Sequence, residues 1–247
     1  MIGRFTHSVV FDPLLENALA KYEPAKFAWI GNMDESIDAC GVSSASGVAR
    51  FDDPLTRESV LGATAISGPF GQYSAALNNL LGAKIKIVAG YRGTANLQIA
   101  IQRREVQGAC GLPMSTITSF WHNAYESGEF RVIVQLSGRG RDDLKDIPHI
   151  ADRAKTADER ALFDLIFEPQ ALGRVFAAPP GTPADRVNVL RRAFNATMKD
   201  PQFLVDAAKT KIDIGPATGE EVAAFIARVS AAPLAVVERA KAALRTD

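Results

Sequence analysis

LGATAISGPFGQYSAALNNLLGAKIKIVAGYRGTANLQIAIQRREVQGACG, residues 61–111, decides the fold of this chain. Val60 to Ser67 is a short apolar, β-branched run that reads as a strand and ends at the turn Gly68-Pro69-Phe70-Gly71. Gln72 to Leu81 then carries Ala75, Ala76, Leu77, Leu80 and Leu81 at helical spacing, and Gly82 closes that helix as a left-handed cap. Lys84 to Ala89 (KIKIVA) reads as a second strand with one wet face near its start. Gly90-Tyr91-Arg92-Gly93 turns the chain again. Thr94 is placed to cap a helix over Ala95 to Arg104 through its hydroxyl, and Val106 to Cys110 reads as a third strand.

Two consecutive β-loop-α units predict a parallel sheet, whose ligands sit beyond the carboxyl ends of the strands. The two glycine turns are those places. Each feeds a helix start, where unpaired backbone N–H groups and the positive end of the dipole suit a carboxylate or phosphate. The alternative is an ordinary βα turn that needs glycine for its backbone angles. Neither turn matches the nucleotide-binding P-loop or G-x-G-x-x-G pattern.

Working outward, the 247 residues are 47% hydrophobic and 23% charged, enough for a substantial core in one large or two small domains. Lys plus Arg equals Asp plus Glu at 28 each, which removes any bulk electrostatic case for nucleic acid or an anionic membrane as partner. No apolar run approaches the roughly 20 residues of a membrane span. Cys40 and Cys110 form either one disulfide or two small buried thiols. The opening MIGRFTHSVV lacks the apolar segment and cleavage site of a secretory signal.

Upstream, Pro13 to Tyr22 reads as a helix and Phe27 to Gly31 as a buried strand. Asp34 to Val48 reads as one strand and a turn, and Asp53 with Pro54 as a helix start. Downstream, Pro113 to Ser127 reads as one helix with Ile117, Phe120, Trp121 and Tyr125 as a core stripe, and Arg131 to Leu136 as a strand. Ser137 to Lys145 is the candidate crossing between lobes. Helices follow over Asp158 to Phe167, Asp185 to Met198 (started by Thr182 and Pro183) and Gln202 to Thr210. Short strands lie at Arg174 to Ala178 and Ile212 to Ile214, and a capping box, Thr218 with Glu221, opens a long terminal helix.

Catalytic patterns are weak. His7, His122 and His149 share no metal-ligand spacing, no nucleophile elbow or C-x-x-C is present, and neither a metal nor a cofactor is expected. Cys110, twelve residues from His122, is the formal nucleophile and Glu105 the formal base; beside Arg103 and Arg104, Glu105 reads more simply as a solvated charge.

An ordered set of segments resembles the substrate-binding proteins of tripartite tricarboxylate transporters. The set is Phe27 to Gly31, Gly90 to Ala100, Arg103 to Gly108, Ala177 to Ala184, Lys199-Asp200-Pro201 and Ala217 to Glu221. The resemblance implies a two-lobed α/β periplasmic-binding-protein fold of type II. Residues 39–130 would form the second lobe, and residues 1–38 with 131–247 a first lobe left incomplete by a start about a quarter of the way into the family's length. It implies a periplasmic protein that binds a small organic acid without catalysis and hands it to membrane permease subunits. Ser67, Gly68, Phe70, Gly71, Gln72, Tyr73 and Ser74 would form one wall of the ligand site, Tyr91 and Gly93 another. Arg104 stands where the family has glycine and Gln107 where it has aspartate, so ligand selection would differ if that carboxylate takes part. The competing functions are a ligand-sensing domain of a signalling or regulatory system, and an enzyme using Cys110 or Glu105.

Overall fold

The computed structural model describes residues 1–5, 12–15, 20–137, 144–210, 212 and 214–246. By internal contacts the chain divides into two compact units, Met1–Ser36 with Glu168–Val237, and Ile37–Phe167 with Glu238–Asp247. Residues 131–167 and the C-terminal end therefore group with the second unit, where the sequence reading had placed them in the first. Residues 138–143 of the proposed crossing within 137–145 fall outside the described residues, as do residue 213 of the strand expected over 212–214, whose residues 212 and 214 are not in a strand, and residues 16–19 of the helix expected over 13–22. No helix among the described residues is long and apolar enough to cross a membrane.

The first unit holds β1 (Gly3–Phe5), β2 (Ala28–Asn32), β8 (Val175–Ala178) and β9 (Ala217–Thr218) in the sheet order β1-β8-β2-β9. All three pairings are antiparallel. Its helices include α7 (Ala184–Thr197), α8 (Pro201–Lys209) and α9 (Gly219–Ser230). Gly31 is required by packing: a Cβ there would lie 2.2 Å from the Phe194 ring on α7. Trp29 is buried, and its Nε1–H donates to the Pro24 carbonyl at 3.0 Å. Two helix starts are closed by their own side chains. Asp200 accepts the Phe203 N–H at 2.8 Å, and Thr218 and Glu221 complete the capping box. Hydrogen bonds from Thr218 hold the Glu221 carboxyl below its ordinary pKa. The start expected from Thr182 is different: Pro183 is the N-cap without a side-chain bond, and the Thr182 hydroxyl donates to the Pro179 carbonyl.

The second unit holds β3 (Asp38–Ser43), β4 (Ser59–Ala63), β5 (Ile85–Ala89), β6 (Gly108–Pro113) and β7 (Phe130–Gln135) in the order β5-β4-β6-β3-β7. β4 is parallel to β5 and β6, as the βαβαβ reading requires. β3 is antiparallel to β6 and β7, so the sheet is mixed. After the short α1 (Asp53–Thr56), helices α2 (Pro69–Leu81) and α3 (Thr94–Gln102) are the two crossovers. Gly82 closes α2 at φ 68°. β6 begins at Gly108, two residues later than expected, and its backbone there presses on β3: a Cβ on Gly108 would lie 2.1 Å from the Gly41 carbonyl oxygen.

That pressing brings Cys40 of β3 and Cys110 of β6 together as a disulfide. A core cluster of this unit contains Ala39, Ala109, Leu97, Ile101, Leu112, Met114, Ile117 and Trp121. The single helix expected over 113–127 is two short ones, α4 (Met114–Ser119) and α5 (His122–Glu126). The chain breaks at Phe120 and Trp121, so Trp121 is 1% exposed while Phe120 is 83% exposed and leaves the stripe.

Candidate functional site

β4 and β5 run in register from Ser59 opposite Ile85 to Ala63 opposite Ala89, so the turns after them leave the sheet side by side. The second is tied to the first, since the N–H groups of Gly90 and Tyr91 donate to the Ala63 carbonyl at 3.1 and 3.4 Å. α2 starts behind Gly68, an N-cap with no side chain and no capping hydrogen bond. Pro69 has no N–H, so Phe70 and Gly71 carry the first open donors. α3 starts behind Gly93, at φ 105°, also without a side-chain cap. The Thr94 hydroxyl cap is not made. Gly93 takes the N-cap position because its carbonyl accepts the Leu97 N–H at 3.1 Å, leaving Thr94 as the first helical residue.

The residues expected in the first wall separate into two groups. Ser67 is exposed, and Gly68, Phe70 and Gln72 are half-buried around the helix start. Gly71 is buried and admits no side chain, because a Cβ would lie 2.1 Å from the Ile66 carbonyl oxygen. Tyr73 and Ser74 turn inward. The Ser74 hydroxyl donates to the Phe70 carbonyl at 2.8 Å. The Tyr73 ring packs 5.4 Å from Phe167, and burial, then the Asp38 carboxylate, raises its hydroxyl pKa. In the second wall, Gly93 is half-buried, and the Tyr91 ring lies over Gly62 beside Leu97 and Val106. Burial, then Glu105, raises its pKa.

Sequence reasoning missed Asp38, the first residue of β3. It is 4% exposed, and burial raises its carboxyl to about pKa 7. The available signal was an acidic residue between Ile37 and Ala39 in an apolar run. The two departures from the family pattern also have places. Arg104 is the one non-glycine residue at positive φ among the described residues, 62°, just past the end of α3, where glycine is the usual cap. The Gln107 side chain accepts the Val60 N–H at 2.7 Å and donates to the Ser46 carbonyl at 3.0 Å. Gln107 is thereby bound to the start of β4, the end of that strand opposite the glycine turns.

The two residues considered for catalysis do not converge. Cys110 is 1% exposed and bonded to Cys40, and Glu105 is exposed. No group of three or more metal-ligating side chains occurs among the described residues.

No family model matches the chain, and no curated protein matches it in sequence. In structure it is similar to a TctC solute-binding protein from Polaromonas, with a TM-score of 0.73 and 16% identity over 96% of this chain and 77% of that one. It is also similar to the periplasmic binding protein BugD, at 0.66 and 19% over 98% and 77%. A third likeness is to an R. palustris protein solved with adipate, at 0.63 and 16% over 98% and 76%. The periplasmic-binding-protein fold expected from the sequence is thus the fold these proteins share.

Proposed function

We propose that this chain is an extracytoplasmic solute-binding protein that captures a small organic carboxylate at the starts of α2 and α3 and delivers it to the permease of a tripartite tricarboxylate-type transporter. One observation carries the reading: two adjacent helix starts, both with glycine N-caps and no side-chain acceptor, present open backbone donors beyond neighbouring parallel strands. A carboxylate there would take hydrogen bonds from the N–H groups of Phe70, Gly71 and the first turn of α3, and gain from both dipoles. Ser67, Gln72 and Tyr91 flank these donors and would set selectivity; Tyr73 and Ser74 would shape the wall from behind. The likeness in fold to TctC, BugD and the adipate-bound protein supports a transport receptor and binding without turnover.

The Cys40–Cys110 disulfide supports a location outside the cytoplasm, since buried disulfides form and persist in oxidising compartments. The test is thermal unfolding of the 247-residue chain with a panel of mono- and dicarboxylates. An acid present at a hundred times its dissociation constant adds about 2.7 kcal/mol, a rise of roughly 5–11 °C for a chain of this size. A cooperative transition that no acid raises counts against the reading.

A further inference from the structure

At the other end of α3, about 13 Å from Gly93, the second unit carries a cleft of about 390 Å³. That volume lies within the roughly 300–1,000 Å³ of small-molecule sites. Its apolar side includes Ile101, Ala124 and Phe130, with the Trp121 indole set edge-on to the Phe130 ring at 4.8 Å. The indole Nε1–H is buried without an acceptor among the described residues. A buried donor left without a partner is destabilising.

Two opposite charges line the same cleft, Arg104 and Glu129. Among the described residues neither side chain forms an ion pair or a side-chain hydrogen bond, with the other or with a neighbour. Arg104 holds its position in a left-handed backbone conformation that glycine would adopt freely. The cleft therefore brings a cation, an anion and an apolar wall together within one small volume, beside the buried indole of Trp121. Opposite charges that do not reach each other suit a molecule carrying both signs.

We infer that this cleft is a second ligand site, for a free α-amino acid with an apolar side chain, its carboxylate on Arg104, its ammonium on Glu129 and its side chain against the wall that includes Trp121 and Phe130. The site is distinct from the glycine turns and does not depend on their binding a carboxylate.

The experiment is a ¹H–¹⁵N titration of the full chain followed at its indole signals. Only Trp29 and Trp121 contribute, and Trp121 is assigned through Trp121→Phe or through its contacts with Phe130. Leucine and phenylalanine at millimolar concentration should shift the Trp121 signal saturably and leave that of Trp29, which already donates to Pro24, in place. Arg104→Ala and Glu129→Gln, both at exposed positions, should each weaken the response roughly tenfold. So should replacing leucine by 4-methylpentanoate, which lacks the ammonium. The inference is overturned if no amino acid gives a saturable Trp121 shift, if 4-methylpentanoate matches leucine, or if both variants titrate as the parent does.

Discussion

Helix starts are treated in two opposite ways in this molecule. From residue 156 onward three of them are closed from within: Thr156 with Glu159 at α6 (Ala157–Phe167), Asp200 at α8, and Thr218 with Glu221 at α9, while α7 starts behind Pro183 without a side-chain cap. Each of the three carries a side-chain oxygen on its first donors. Between residues 60 and 113, α2 and α3 start behind glycines and have no such acceptor. A serine or aspartate cap is worth about 1 kcal/mol to a helix relative to alanine, but only a few tenths of a kcal/mol relative to glycine. Two neighbouring starts that forgo the cap leave the same donors available to a ligand. The closed starts serve the fold, and the open ones are where a site can form.

The largest expected effect concerns what holds the open starts in place. Gly111, next to Cys110, backs α2 so closely that a Cβ there would lie 3.0 Å from the Pro69 carbonyl oxygen. The disulfide spans 70 residues of sequence, so its loss through paired Cys40→Ala and Cys110→Ala should cost about 4 kcal/mol in chemical denaturation. Hydrogen exchange should then quicken at Gln72, whose N–H donates to the Gly68 carbonyl at 2.9 Å, and stay unchanged at Glu221. Equal loss at both ends would break the contrast.

Asp38 gives a pH test of the floor beneath α2, because it faces Tyr73 of that helix. Its folded pKa is raised to about 7, so the native state retains a proton that the unfolded chain releases near pH 4. Stability should therefore fall as pH rises between about 4 and 7, at no more than about 1.4 kcal/mol per pH unit from this group, and level off above. Asp38→Asn should flatten that slope. An unchanged pH profile in this variant would remove Asp38 from the account.

A smaller change sharpens the closed side. Thr218→Ala should lower stability by about 1 kcal/mol and leave carboxylate affinity unaltered, measured by denaturation and titration on the same sample. A loss of affinity would mean that the two classes of helix start are not independent.

The sequence made the open region legible because each of its elements is local. Hydrophobic period, Gly68, Gly82 and Gly93 are enough to place β4, α2, β5 and α3 within a few residues. The capping box at Thr218 was readable for the same reason. What was not readable depends on pairing across distance. The three residues of β1 gain their structure from β8. The mixed sheet and the Cys40–Cys110 bond follow from β3 lying against β6, which brings together residues 70 apart in sequence. Phe120 was assigned to a buried stripe because period alone does not reveal that the helix ends at Ser119. Within the candidate site, the family resemblance gathers Ser67 to Ser74 as one wall. It could not separate Tyr73 and Ser74, which face inward, from Gly68 and Gly71, whose backbone faces the turn.

The most direct measurement is calorimetric titration of the acid that most raises the melting temperature into the parent chain and into Gly68→Asp. Gly68 has φ −94° and ψ 174°, a conformation open to aspartate, and a Cβ there makes only ordinary contacts. The new carboxylate would cap α2 from within, as Asp200 caps α8. The account predicts a chain more stable by a few tenths of a kcal/mol that has lost at least about tenfold in affinity, or about 1.4 kcal/mol. Parent-like affinity in a folded Gly68→Asp would contradict it, because the open start of α2 would then not be where the carboxylate binds.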